Sequence, residues 1–283
     1  MNLKRPSALS MARKSKSNFF LSFLFLGKKQ RDAISAVYAF LHVVDDAVDL
    51  GGERGAEGLA MWRKELDLCY EGNPSSSIGQ NLAAAIQGFT LPKETFLKVL
   101  EGIAMDLKPA RYKSFEDLAA YCDRVAGAVG LLCVRIFGRD DESGRDYALN
   151  LGRALQLTNI LRDVGEDAKA GKIYLPAEDM ARFHVAERDL LSGMATPGLM
   201  DLLHVEASRA RSFFQQAERL ARESGPRSLL AGEIMRVTYQ TLLNRVEKAG
   251  LEVMDRKVRL SLAVRAFATL RALIHSLPLL GGG

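Results

Sequence analysis

Three cysteines, eight prolines and one tryptophan are all that 283 residues hold of these types. Cys69, Cys122 and Cys133 are an odd set without Cys-x-x-Cys spacing. That excludes a disulfide framework and a cysteine zinc site, and it suits a reducing cytoplasm. No Pro/Gly/Ser-rich stretch divides the chain, so one domain over 1–283 is expected. No apolar run approaches the ~20 residues that span a bilayer. Basic residues up to Lys16 precede an apolar run, Phe19 to Leu26, and so imitate a signal peptide. Gly27-Lys28-Lys29-Gln30 follows it without a small-residue cleavage site. The stretch 273–283, broken by His275 and Pro278, does not read as an anchor. The expected location is the cytoplasm, with peripheral contact at the inner membrane face as the other option.

Neither sign of charge dominates. Lys and Arg number 39 against 34 Asp and Glu, for a net charge of +5 and a pI near 9.1. This modest excess suits an anionic ligand or a membrane surface. Zinc-finger spacing, aromatic RNA-binding motifs and long basic blocks are all missing, so nucleic acid is not an expected partner.

Alternating strands and hairpin signals are missing too. Helical periodicity is present almost throughout. Ile34, Val37, Tyr38, Leu41 and Val44 form one stripe of a helix over 31–50. Further helices are expected over 54–71, 78–89, 93–107, 115–137, 141–167, 196–223, 227–249 and 257–276. Pro92, Pro109, Gly138, Pro176, Pro197 and Gly225-Pro226 punctuate them. The expectation is an all-α chain of eight to ten helices. Gly127 and Gly130 sit inside one of these helices, where glycine costs about 1 kcal/mol relative to alanine. Either close helix approach or room for a ligand would account for them.

Two acidic strips stand out. Asp45, Asp46 and Asp49 end an apolar helix, with Asp45 and Asp49 one turn apart on one face. Carboxylates there oppose the helix dipole and repel each other, which destabilises the helix unless a cation is near. A solvated helix end is the plain alternative. Asn159, Asp163 and Asp167 recur at four-residue steps along an otherwise apolar helix. Asn and Asp are poor helix formers, so propensity does not explain them. A polar seam between helices is the alternative here. Oxygen donors without His or Cys suit a hard ion such as magnesium, which shares its shell with phosphate oxygens. If the two helices face each other, their carboxylates would clamp several magnesium ions around one diphosphate.

Three longer motifs carry a family resemblance. Ser17 to Asp49 contains Arg31, Tyr38-Ala39-Phe40 and Asp45-Asp46-Ala47-Val48-Asp49. The second motif is Tyr121-Cys122-Asp123-Arg124-Val125-Ala126-Gly127-Ala128-Val129-Gly130. The third runs from Gln156 to Asp167 and continues as Gly171-Lys172-Ile173-Tyr174-Leu175-Pro176. In this order they resemble the squalene/phytoene synthase family, over nearly the whole chain. Within it, 18–26 and 121–132 look most like bacterial presqualene diphosphate synthases of hopanoid biosynthesis.

The resemblance implies an all-α isoprenoid synthase fold, with helices around a central cavity. It implies a prenyltransferase that joins two farnesyl diphosphates head to head with two or three Mg2+ ions and no reduced nicotinamide. Carried over by position, Asp45, Asp49, Asp163 and Asp167 would bind magnesium, with Asp46 and Asn159 supporting them. Arg162, Tyr239 and Arg256 would contact diphosphate. Phe19, Tyr38, Tyr121, Val125 and Gln156 would line the substrate cavity. Arg124 would be a further phosphate contact or a surface charge. Independently of the resemblance, Lys172 and Tyr174 stand on the loop after the second acidic strip, from which they could close over the site. His42 stands where the family usually has an arginine on the diphosphate. A neutral imidazole donates one hydrogen bond and carries no charge. Squalene, dehydrosqualene, phytoene or hydroxysqualene synthesis, and a non-catalytic assembly role, remain open on this reading. The next enzyme of the pathway would be a partner. Asp45→Asn or Asp163→Asn is expected to abolish turnover of prenyl diphosphate while circular dichroism still reports the helices. Full activity in either variant would sink the carboxylate clamp.

Overall fold

Short polar side chains set several helix starts. Ser76 accepts a hydrogen bond from the Gly79 N–H, Asp141 accepts one from Gly144, and Ser114 forms a capping box with Asp117. The computed structural model describes residues 22–49, 51–108, 110–223 and 228–276. Phe19 and the Gly225-Pro226 break lie outside the described residues. The α-helices are α1 (Lys28–Asp49), α2 (Gly55–Tyr70), α3 (Ser77–Phe89), α4 (Lys93–Met105), α5 (Phe115–Cys122) and α6 (Ala128–Ile136). They continue as α7 (Glu142–Lys169), α8 (Ala177–Arg182), α9 (Glu187–Leu191), α10 (Pro197–Glu223), α11 (Leu230–Ala249) and α12 (Leu262–Ser276). Among the described residues there is no strand, and no helix is long and apolar enough to cross a membrane.

The expected long helices are there, with three differences. The one expected over 257–276 begins only at Leu262, after residues 257–261 without helix. The stretch expected to be bare between 167 and 196 contains α8 and α9, six and five residues long. They are too short to show a hydrophobic period. The helix expected over 115–137 is interrupted by a π turn at Asp123–Gly127. There the Ala128 N–H reaches back five residues to the Asp123 carbonyl. Arg153 of α7 clasps the Asp123 carboxylate with bonds of 2.6 and 2.7 Å, which ties the turn to α7.

Apolar faces meet in two large cores and in a small cluster of Ile234, Val237, Ala268 and Ala272 between α11 and α12. In one large core, Phe40, Leu66, Leu82, Phe96 and Leu132 are fully buried between α1, α2, α3, α4 and α6. Phe40 packs edge-on against Phe96 and Trp62, at centroid distances of 6.2 and 5.9 Å. The other joins α7, α10 and α11 through Leu157, Leu161, Leu202, Phe214 and Leu243. Helix α7 packs on α6, the π turn, α10 and α11, so it runs through the middle of the molecule.

That central place needs small residues. A Cβ on Gly152 would lie 2.7 Å from the Gly127 backbone, and one on Gly130 would lie 2.9 Å from the Ala148 carbonyl. Close approach therefore accounts for Gly127 and Gly130, and Gly130 also lines the cavity described below. Gly165 is tighter still. A methyl there would meet the Met254 carbonyl at 2.2 Å. Met254 ends a 3-10 segment, Gly250–Met254, that leads toward α12. Gly165→Ala is expected to lower the urea midpoint, with a loss of about 1–3 kcal/mol from overpacking. An unchanged midpoint would show that this contact yields without cost.

Candidate active site at the mouth of an apolar cavity

Both acidic strips come to one place. Helix α1 brings Asp45 to its C-terminal turn, and the last half of α7 brings Asn159, Asp163 and Asp167. Asp45 and Asn159 line the same cavity, about 410 Å³ in volume, within the range of ligand pockets. Tyr38, His42, Tyr121, Val125 and Gln156 line it with them. Below this polar end the wall is apolar, with Ile34 and Val37 of α1, Val99 and Ile103 of α4, and Leu151 and Leu155 of α7. The π turn sets Val125 and Ala126 into the same wall.

Asp49, Asp163 and Asp167 are not part of that wall. They stand just beyond it, among cations. The Lys172 ammonium is 3.4 Å from Asp49 and also acts on Asp167. Asp163 takes two bonds from its neighbour Arg162, at 2.7 and 2.5 Å, and one from Lys257 at 3.0 Å. Lys257 also reaches Glu166 at 2.7 Å. Asp46 turns to the side. It faces His42 at 3.7 Å, and the His42 ring stacks on Tyr38 at 5.8 Å.

The electrostatics are those of a crowded anionic mouth. Asp45 is open to solvent, yet the concave wall around it removes part of its hydration. That desolvation, with the charges of Asp49 and Asp106, raises its carboxyl to about 6. Asp167 is raised to about 7, by burial first and by Asp163 second, against the pull of Lys172 and Lys257. Asn159 presents a buried side-chain oxygen with no hydrogen-bond partner. An orphaned oxygen beside desolvated carboxylates is a donor set that fits a hard cation. Among the described residues, no three His, Cys, Asp or Glu side chains already converge into a closed metal cage.

Two residues of this region carried no signal in the sequence. Asp106 follows α4 as a lone acid after Met105, without a partner one turn away. In the fold it lines the cavity and accepts hydrogen bonds from Tyr121 at 2.9 Å and Tyr174 at 2.7 Å. Burial raises its carboxyl, and the two phenols oppose that rise. Lys257 was hidden in the basic run from Arg256 to Arg259. Arg256 itself, expected on diphosphate, points outward and pairs with Glu252. Lys257, not Arg256, is the side chain that reaches the acidic strip. Tyr239 is buried beside Arg162 and lies outside the cavity wall. Arg124 donates to the Ala120 carbonyl at 2.8 Å.

Comparison with known proteins gives one answer at the level of family. The squalene/phytoene synthase model matches residues 12–264. The presqualene diphosphate synthase of Zymomonas mobilis is 35% identical over 257 residues, 89% of this chain and 88% of that protein. A chloroplastic phytoene synthase of an Oncidium hybrid cultivar is 33% identical over 260 residues, 88% of this chain; the match spans 63% of the plant protein. A crystal structure of a dehydrosqualene synthase in complex with ligand superposes with a TM-score of 0.86 at 30% identity, over 95% of this chain and 94% of that one. The fold is thus the all-α isoprenoid synthase fold. With its motifs, its helices and most of its length matched, the chain belongs to the squalene/phytoene synthase family.

Proposed function

We propose that this protein joins two farnesyl diphosphates head to head into presqualene diphosphate. The observation that carries the reading is a long apolar cavity whose one polar end meets two carboxylate strips and three cations. Such a shape suits a molecule with a hydrocarbon tail and a diphosphate head. In the first half of the reaction, the allylic C–O bond of one substrate breaks and the diphosphate leaves with the electron pair. The double bond of the second substrate then supplies electrons to the cation. Loss of a proton closes the cyclopropane. The product keeps one diphosphate, the other leaves as inorganic diphosphate, and no reductant is consumed.

The chain's own groups divide this work. Arg162, Lys172 and Lys257 would turn from their carboxylates toward the phosphate oxygens. Magnesium held by Asp45, Asp49, Asn159, Asp163 and Asp167 would supply charge neutralisation for the leaving group. Ile34, Val37, Val99 and Leu155 would keep water from the cation. The rings of Tyr38 and Tyr121 would present π faces to it. Tyr121 and Tyr174 hold Asp106 through their hydroxyls, so that carboxylate is fixed at the head of the cavity.

The test is a product assay with purified protein, farnesyl diphosphate and magnesium, without reduced nicotinamide. Presqualene diphosphate is expected to accumulate, and a chelator is expected to stop it. Turnover of geranylgeranyl diphosphate alone would mean phytoene synthesis. Consumption of presqualene diphosphate alone would mean the hydroxysqualene step.

The mouth also predicts a pH effect on stability. Unfolded carboxyls titrate near ~3.9, whereas Asp45 and Asp167 are raised to about 6 and about 7 when folded. Between these values the folded state binds more protons than the unfolded one, so stability rises as pH falls. The melting temperature of the metal-free protein is expected to increase from about pH 8 to about pH 5. Magnesium at the upper pH is expected to raise it and flatten the slope. A slope that magnesium leaves untouched would show that these carboxylates do not hold the ion.

A further inference from the structure

Away from the carboxylates the cavity runs between α7, α6 and α11, and on α7 its wall ends at a single large side chain. The α7 residues in its wall run from Asn159 at the polar end to Tyr147, the α7 lining residue farthest along the helix from the carboxylates. Tyr147 is 1% exposed and pinned from two sides. Its hydroxyl donates to Glu233 at 3.1 Å, and Arg236 holds that carboxylate with further bonds of 3.0 and 2.9 Å. Its ring lies against Gly232 of α11, where a Cβ would come within 2.4 Å of the phenol oxygen and 2.9 Å of a ring carbon. The ring therefore has no room to swing toward α11. Behind it is a buried ion pair, which an apolar tail does not displace without stranding both charges.

We propose that Tyr147 is the floor that limits the prenyl chain to fifteen carbons. The inference rests on the prenyl diphosphate reading of the site and deepens it. At 1.5 Å per residue, Asn159 and Tyr147 are about 18 Å apart along α7. An extended chain advances about 1.2 Å per backbone bond, so a four-bond isoprene unit spans about 5 Å. Three units fit above the tyrosine and a fourth meets its ring. The hydroxyl serves to hold the ring in place. The bulk of the ring does the selecting.

The experiment measures the ratio of geranylgeranyl to farnesyl diphosphate turnover, as kcat/KM, with magnesium. Tyr147→Ala is expected to raise this ratio by about tenfold or more over the unaltered protein. Tyr147→Phe, which keeps the ring and loses the hydroxyl, is expected to stay within about threefold. Tyr147→Leu, of intermediate bulk, gives the same direction if the alanine variant fails to fold. An unchanged ratio in a folded Ala or Leu variant that still uses farnesyl diphosphate would overturn the floor alone. A large shift with Phe would overturn the steric account. Preference of the unaltered protein for the longer chain would also overturn it. Turnover of neither substrate by the unaltered protein would overturn the underlying reading and this one with it.

Discussion

Uncompensated negative charge at the cavity mouth is the constraint to which the surrounding structure responds. Asp49 and Asp106 act on Asp45, Asp49 acts on Asp106, and Asp163 acts on Asp167, in a setting that is only partly hydrated. Together with burial, these like charges raise the proton affinity of Asp45, Asp106 and Asp167 and destabilise the fold that gathers them. Arg162 and Lys257 on Asp163, and Lys172 on Asp49, offset part of that cost. Two phenols do the same for Asp106 by hydrogen bonding. Asp45 and Asp167 are left with their affinities raised.

The helices hold these charges apart by rigid packing. Glycine contacts seat α7 on the π turn and on the end of the 3-10 segment. The acidic residues of α7 therefore project from a backbone fixed on several sides. Much of the apolar wall is made by the same helices, one to about three turns further along. The polar and apolar parts of the cavity wall are thus held on a common set of helix axes.

How much of this was legible depended on repetition. Asp45 and Asp49, and then Asn159, Asp163 and Asp167, repeat at one helical turn, so their shared faces could be read from spacing alone. The long helices were legible for the same reason. Asp106 has no repeat, and its meaning comes from Tyr121 and Tyr174, 15 and 68 residues away in sequence. Arg256 and Lys257 are adjacent and chemically alike. Which of them faces the acidic strip depends on the rotation of the chain after Met254, which no local pattern encodes. Helices α8 and α9 are shorter than two turns, and α8 stands on tertiary backbone bonds, such as Ala177 N–H to the Tyr112 carbonyl at 2.9 Å. The π turn had no marker beyond Gly127. Its anchor, Arg153, comes from another helix.

That turn has a consequence for how this protein tolerates change in length. A π turn accommodates one residue more than the α-helix it interrupts, and each residue rotates the succeeding helix by about 100°. Deleting a single residue between 123 and 127 would restore a regular helix and turn α6 about its axis. Val129, Cys133 and Val134 would leave the cavity wall, and other faces of α6 would enter it. The interior surface on this side is therefore written in a count of residues as much as in their identities. A lineage could remodel that surface wholesale through one codon lost or gained, with no side chain in α6 replaced.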